Sequence, residues 1–351
     1  MDKSIKGILV TFLAPLENHI ANGGEKLLGN ASSIKRRPDG RVYISGQMQR
    51  HVLFRAIEQL NEEAKKEVNI DSQQNGFYVG EKERRTGVDI QQTFVSNGDG
   101  VTNLIEKDLR ADMGGFLHPS QGDYSGRRTA PLTVTPAVAI DESQVGRDLL
   151  IRIKTNIRGE RVYSDGYVQT DAGEADDQKQ ALATKEFSEF DLMHMNFFLD
   201  ISSLSISKAF KYENKFHIET RYFKHVPEVE RKRRVMLFLE ATRSMNDFAS
   251  QARNAVSGEP QQVLIVLDTK LSRKASRYFT ASASDMERKN ILSELESRGA
   301  KPILGDDTKG DKGVYQAFDE AIAALASSTL YDPTGGNENI YSFEEAFNPT
   351  E

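Results

Sequence analysis

Residues 41–60, RVYISGQMQRHVLFRAIEQL, change hydrophobic period part-way along. Residues 41–44 read as a short strand after the Asp39-Gly40 turn, and Ser45 then offers a hydroxyl as N-cap for a helix expected over 46–68. Met48, Val52, Leu53, Ala56, Ile57, Leu60 and Ala64 recur at intervals of three and four, while Glu58, Glu62, Glu63, Lys65 and Lys66 fall on the opposite, wet face. A helix with one apolar stripe has to bury it on something, so a sheet must come from the segments on either side.

On the N-terminal side, residues 4–13 read as a buried strand bounded by Pro15, and the loop ENHIANGGEKLLGNASSIKRRPDG fills 17–40. Its Asn22-Gly23-Gly24 and Gly29-Asn30 steps permit positive φ and close approach of main-chain amides. On the C-terminal side, 71–189 breaks into short strands and turns. Within it, 134–140 and 149–157 alternate as a pair of strands would, 163–167 reads as a hairpin around Asp165-Gly166, and 171–185 is polar and without period.

Regular structure resumes with strands at 197–206 and 215–223, the second alternating through Phe216, Ile218, Thr220 and Tyr222. A helix from Val229 to Phe248 buries Val235, Met236, Phe238 and Leu239, and its run Arg231-Lys232-Arg233-Arg234 reads as a solvated helix start. QVLIVL at 262–267 has the unbroken apolar character of a central strand covered on both faces. Two more helices, at 284–298 and 314–326, and a polar tail from Pro333 complete the chain. Strand, helix, strands, helix, strand is the order of a ferredoxin-like βαββαβ unit, placing the fold in the α+β class. The expected organisation is a palm built from 1–70 and 190–270, an inserted region at 71–189, a helical extension at 271–332 and an acidic tail at 333–351.

The chain has 351 residues, 38% of them hydrophobic, enough for a sizeable core. It has no cysteine, which excludes disulfides, thiolate metal sites and a cysteine nucleophile, and is compatible with a reducing compartment. No apolar run approaches the roughly 20 residues of a membrane span, so the expectation is a cytoplasmic protein with no membrane partner. A net charge of -6 disfavours nucleic-acid binding on average, but the charges are segregated. Lys35, Arg36, Arg37, Arg41, Arg50 and Arg55 face only Asp39 in their stretch, whereas 171–177 and the tail are acidic. His19, His51, His118, His194, His217 and His225 show no metal-binding spacing and no adjacent nucleophile motif, and GDDTKGDKG at 305–313 lacks the spacing of a phosphate loop. No metal or cofactor is expected.

The strand, the Gly/Asn-rich loop and the segment YISGQMQRHVLFRAIEQL, in that order, resemble the start of the RAMP superfamily. DLRADMGGFLHP at 108–119, followed by GRRTAPLTVTPAVAI at 126–140, is similar to the DevR-type backbone subunits of CRISPR Cascade complexes. FFLDISSLS at 197–205, RKRRVMLFLEATRSM at 231–245 and SQARNAVSGEPQQVLIV at 250–266 extend the likeness.

The resemblance implies a right-hand shape, an RRM-like palm with large insertions forming fingers and thumb. It implies a non-catalytic subunit of a type I effector complex that polymerises along guide RNA (crRNA) and presents its bases to target DNA. The partners would be other copies of itself and other Cascade subunits. Phosphates would meet backbone amides at Asn22, Gly23 and Gly24 and the helix start at Ser45, Gly46 and Gln47, with charge from Lys35, Arg36, Arg37 and Arg50. His19 belongs to the same expected RNA-binding set, and family position adds Arg127, Arg128 and Arg253.

Two departures bear on mechanism. The stretch 29–34 carries no carboxylate where related RNA-cleaving subunits have an aspartate, which argues against nuclease activity. There is no tryptophan and no visible RRM stacking strand, so the thumb wedge falls among Met113, Phe116, Leu117 and Phe187. The alternative is a RAMP-type endoribonuclease with His19 or His51 as general acid or base.

Overall fold

The computed structural model of the chain describes residues 4–22, 25–26, 32–67, 105, 108–118, 126–152, 181–246, 248 and 256–336. Gly23, Gly24, the Gly29-Asn30 step, the 163–167 hairpin, residues 171–180, Arg253 and the tail from 337 lie outside the described residues.

In chain order, β1 (Gly7–His19), β2 (Glu25–Lys26), β3 (Ser32–Ser33) and β4 (Tyr43–Ile44) lead into α1 (Gly46–Glu67). Then come α2 (Leu109–Gly114), β5 (Phe116–His118), β6 (Gly126–Arg128), β7 (Leu132–Val134), β8 (Ala137–Ala139) and β9 (Val145–Arg152). The second half holds β10 (Ala181–Asp200), the hairpin β11 (Ile206–Glu213) and β12 (Phe216–Lys224), and α3 (Glu228–Arg243). It closes with β13 (Gln262–Asp268), α4 (Asp285–Ser297), β14 (Lys301–Asp306) and α5 (Val314–Ser327).

The architecture is mixed α and β around a largely antiparallel sheet. β1 runs through its centre, antiparallel to β13 on one side and to β10 on the other. β7, β8 and β9 pair with β10 in turn, and β14 closes the far edge beyond β13. Alternate residues of β1 serve two cores. Ile8, Val10, Phe12 and Leu16 pack with α1, α3 and α5 through Leu53, Phe238 and Phe318. Leu9 and Leu13 pack on the other face with Phe198, Leu264, Phe279, Ile291 and Leu295, so the segment around α4 covers that face.

Pro15 does not end β1, which continues to His19. Gln261 N–H donates to Leu13 O at 2.7 Å, so odd-numbered residues here turn their backbone toward β13, whose pairing with β1 stops at Leu13. Pro15 is the next residue of that parity, where no ladder needs the N–H that proline lacks.

Several expected boundaries move. The strand expected from 197 begins at Ala181, because β10 is long enough to pair with β9, β8 and β7 successively. The two segments expected to pair with each other pair with β10 instead, and the domain edge at 189/190 falls inside β10. The alternating 215–223 segment is one leg of a hairpin of two strands only, outside the main sheet, and β14 is a further strand after QVLIVL.

Two of the four basic residues at the start of α3 are withdrawn from solvent: Arg231 is 0% and Arg234 1% exposed, while Lys232 and Arg233 are half-buried. Buried guanidinium groups need partners, and Asp112 of α2, itself 0% exposed, is the centre of the arrangement. Its carboxylate receives Arg234 Nη1 at 2.7 Å, Ser205 Oγ at 2.6 Å, Ser205 N–H at 2.9 Å and, closely, Arg128 Nη2. Burial alone would raise the Asp112 pKa, but the Arg128 and Arg234 charges outweigh it and hold the carboxyl below its usual range. Arg231 donates to the carbonyls of Ile201, Leu204 (3.0 Å) and Tyr331 (2.7 Å).

Replacing Asp112 with alanine strands two buried cations and is expected to cost about 3–5 kcal/mol, read as a lowered urea midpoint. A second test concerns His194, whose Nε2 lies 3.0 Å from Thr11 Oγ1 under the α4 side of the sheet. Burial pushes its pKa down from 6.5 to about 4. Between those values the unfolded chain binds a proton that the native state refuses, so stability is complete above pH 6.5 and lost as pH falls toward 4. The expected loss is on the order of 3 kcal/mol, and His194→Asn should flatten the pH dependence of the urea midpoint across that window.

Candidate nucleic-acid interface

Ser45 caps α1 as expected, its Oγ accepting Met48 N–H at 3.2 Å. The first turn carries no acidic residue, which leaves the positive end of a long helix uncompensated by side-chain charge within it. Gly46 is required by packing: a Cβ there would sit 2.7 Å from Val134 O of β7. Ser45 and Gln47 are exposed and Gly46 half-buried. Gly46, Gln47, Arg50 and His51 of α1 line a groove of about 990 Å³ whose other wall includes Arg110, Phe116 and Thr133.

Arg50 spans part of that groove by donating to Gly114 O, and partial burial lowers its pKa. Its guanidinium lies 5.7 Å from the Phe54 ring centre and that of Arg110 5.6 Å from the same ring. These are cation–π distances. Arg110, absent from the expected set, also reaches Glu58 at 3.7 Å.

The basic turn precedes the helix directly. Arg37 N–H bonds Arg41 O and Gly40 N–H bonds Arg37 O, with Gly40 at φ 81, so the chain reverses over 37–40. Arg36 and Arg37 stand exposed on it, with Lys35 half-buried. Arg41 is tied to Asp39 at 2.6 Å, and that hydrogen bond is the main cause of the lowered Asp39 pKa. β4 joins the turn to α1 and pairs with β8, which mounts both on the same short strand.

Three residues of the expected set have their side chains engaged inside the fold. His19 is 0% exposed, with Nε2 at 2.7 Å from Asp191 Oδ2, and Asp191 also accepts the Ser143 hydroxyl, which in turn accepts Val42 N–H at 2.9 Å. That chain of bonds ties the end of β1 to the strand entering α1. Asn22 spans the loop, its Nδ2 donating to Lys35 O at 2.9 Å and Tyr43 O at 3.2 Å. Arg128 is consumed indoors, donating to Asp112 O, Ile206 O and Ser203 O besides the Asp112 carboxylate. Of Arg127 only the backbone is described, pairing with Leu117.

The wedge candidates whose side chains are described do not project. Met113 is 0% exposed, Phe116 and Phe187 are half-buried, and the Leu117 side chain lies outside the described residues. Large apolar groups project at several places among the described residues, Phe190, Val229, Met286 and Tyr315 among them, and the β11–β12 hairpin carries four: Phe210 is 55%, Tyr212 61%, Phe216 73% and Ile218 53% exposed. One face carries His217 between Phe210 and Tyr212, with ring centres 6.0 and 5.8 Å away, and Lys208 Nζ 5.6 Å from the Tyr222 ring. Charge pairs Lys211–Glu213 and Arg221–Glu219 also sit on the hairpin. Its turn uses Asn214 and Lys215 at positive φ, a hairpin geometry whose usual mark is Asn-Gly. The sequence signal was therefore weak.

A family model described as the CRISPR-associated negative auto-regulator DevR/Csa2 matches residues 16–258. The chain belongs to that family. No curated protein matches its sequence. Among solved structures, a chain of a "CRISPR RNA-guided surveillance complex, pre-nicking" is 13% identical, with TM-score 0.51, over 91% of this chain and 99% of that one. A chain of a second "CRISPR RNA-guided surveillance complex" is 14% identical, with TM-score 0.46, over the same shares. The first likeness concerns the fold alone, and it covers more of the chain than the family match does.

Within this DevR/Csa2 chain, no group of three or more histidine, cysteine or acidic residues able to hold a metal occurs among the described residues. No described helix is long and apolar enough to cross a membrane. Gly46→Ala is expected to push the first turn of α1 off β7 and destabilise the protein by about 1–3 kcal/mol. Calorimetric melting measures that loss.

Proposed function

We propose that this protein is a guide-RNA-binding backbone subunit of a type I CRISPR effector complex, holding crRNA by its phosphates and presenting bases to target DNA. The observation that carries the reading is the acid-free start of α1, reached directly from an exposed basic turn and mounted with it on β8. Oriented amides and flexible cations take phosphates without reading bases, as a holder of changing guides requires. Lys35, Arg36, Arg37, Ser45, Gly46, Gln47 and Arg50 keep that role, and Arg110 joins them.

The sheet order β13-β1-β10-β7/β8, with α1 and α3 on one face, supports an RRM-like palm. The face on which RRM domains stack bases is closed here by the segment around α4, so bases meet another element. The β11–β12 hairpin is that element, a thumb whose exposed Phe210 and Tyr212 supply aromatic surface for an unpaired base. Other copies of the chain and other Cascade subunits complete the assembly in the cytoplasm. The protein holds RNA rather than cutting it: His19 is sealed in its pair with Asp191, and His51 alone of the two histidines reaches the groove.

Native purification after co-expression with a CRISPR array and partner subunits tests the reading. Wild type is expected to carry intact, repeat-derived RNA in large assemblies, and Arg36→Ala/Arg37→Ala to lose most of it while staying folded. Phe210→Ala/Tyr212→Ala should retain RNA but in shorter assemblies. RNA-free wild type under these conditions, or RNA cut in a His51-dependent way, overturns the proposal.

A further inference from the structure

Glu186 of β10 is directly opposite Arg147 of β9 in the sheet register. Arg147 places Nε and Nη2 each 3.2 Å from Glu186 Oε1. The other carboxylate oxygen accepts Ile34 N–H at 3.2 Å and lies 3.9 Å from Arg36 Nη2. One carboxylate thus serves two guanidinium groups, and the cluster keeps one positive charge in excess.

The three side chains differ in freedom. Glu186 is 10% exposed and anchored by the backbone of the first loop, whereas Arg36 is 41% and Arg147 74% exposed. The carboxylate is a fixed post and the arginines are movable arms. A pair whose cation stands this far into water is heavily screened and easily exchanged. A phosphodiester brings a charge-assisted, bidentate partner of its own to an arginine fork.

We propose that Arg147 is a further phosphate-binding residue for single-stranded RNA, held ready beside Arg36 by Glu186 and released to the incoming backbone. The inference rests on the guide-holding reading and extends its footprint from the first loop across β10 to β9. Glu186 acts as a positioning residue with a second effect: its charge competes with phosphate for both arginines, keeping the interface from gripping stray RNA.

The test is a salt titration with the full-length protein and a fluorescent oligouridylate, following anisotropy between about 50 and 200 mM KCl. Each lost phosphate contact on a single strand makes the log-log salt slope shallower by about 0.7. Arg147→Ala is expected to show that change, with affinity at the low-salt end falling about three-fold. Arg147→Lys, which keeps the charge without the fork, should retain the slope. Glu186→Gln keeps an acceptor for Ile34 N–H while removing the charge, and should bind about three-fold more tightly or better at low salt.

A slope for Arg147→Ala equal to wild type, with an unchanged melting temperature, overturns the assignment of Arg147. Weaker binding by folded Glu186→Gln overturns the competing role of Glu186. Wild type with no affinity for the RNA at any salt overturns the guide-holding reading itself, and the inference with it.

Discussion

The carboxylate of Asp112 is the point on which the arrangement of this molecule depends. It sits where α2, the turn at 201–205 and α3 meet, fully buried, taking bonds from Arg128, Arg234 and both polar groups of Ser205. Two cations around one anion would leave an interior positive charge, and Glu230, 5% exposed and bonded to Arg234 Nε at 3.0 Å, supplies the compensation. Ion pairs this deep gain little net stability over well-packed apolar groups, because desolvation offsets much of the attraction. What they confer is position, since few arrangements satisfy every donor at once.

Both ends of the proposed RNA-binding apparatus inherit their geometry from that cluster. On one side, α2 carries Arg110 and ends at Gly114, whose carbonyl receives Arg50, so the groove wall is set by the helix that Asp112 anchors. On the other, the root of the β11–β12 hairpin is fastened by Ser205, by His225 Nε2 on Ser207 Oγ at 2.8 Å and by Lys224 on Asp332 at 2.5 Å. The hairpin stands out from a rigid root with its aromatic residues in water. Exposed aromatic surface of this kind is costly to a free monomer in solubility and is characteristic of a binding element.

The strongest local signals in the chain were read correctly because they need no distant partner. Ser45 before a stripe at three- and four-residue spacing marks α1, and the unbroken QVLIVL marks β13, whose residues are covered on both faces. The errors share one physical origin. Arg231 and Arg234 look solvated because a charge run near a helix start usually is, and nothing adjacent announces the distant partners that bury them, the carbonyls of Ile201, Leu204 and Tyr331 for Arg231 and the carboxylate of Asp112 for Arg234. His19 and Asn22 lie in or beside a Gly-rich loop, and the side chain of each is spent on bonds that close it. Phe216 and Ile218 alternate like core residues and are exposed, because alternation reports which residues share a face and says nothing of whether that face is covered.

The central strands β1 and β13, the start of α1, the segregation of basic charge at 35–55 and the motifs that carry the family resemblance are legible without the fold. All of these follow from composition and short-range spacing along the backbone. Which arginines are buried and which stay in water is settled only on folding. Arg128, Arg231 and Arg234 are withdrawn into the interior, whereas Arg36, Arg37 and Arg147 remain toward solvent. The buried guanidinium groups meet their partners on segments brought together solely by folding, whereas Arg36 and Arg147 keep their shared partner Glu186 while standing in water, where such a pair is screened and easily exchanged.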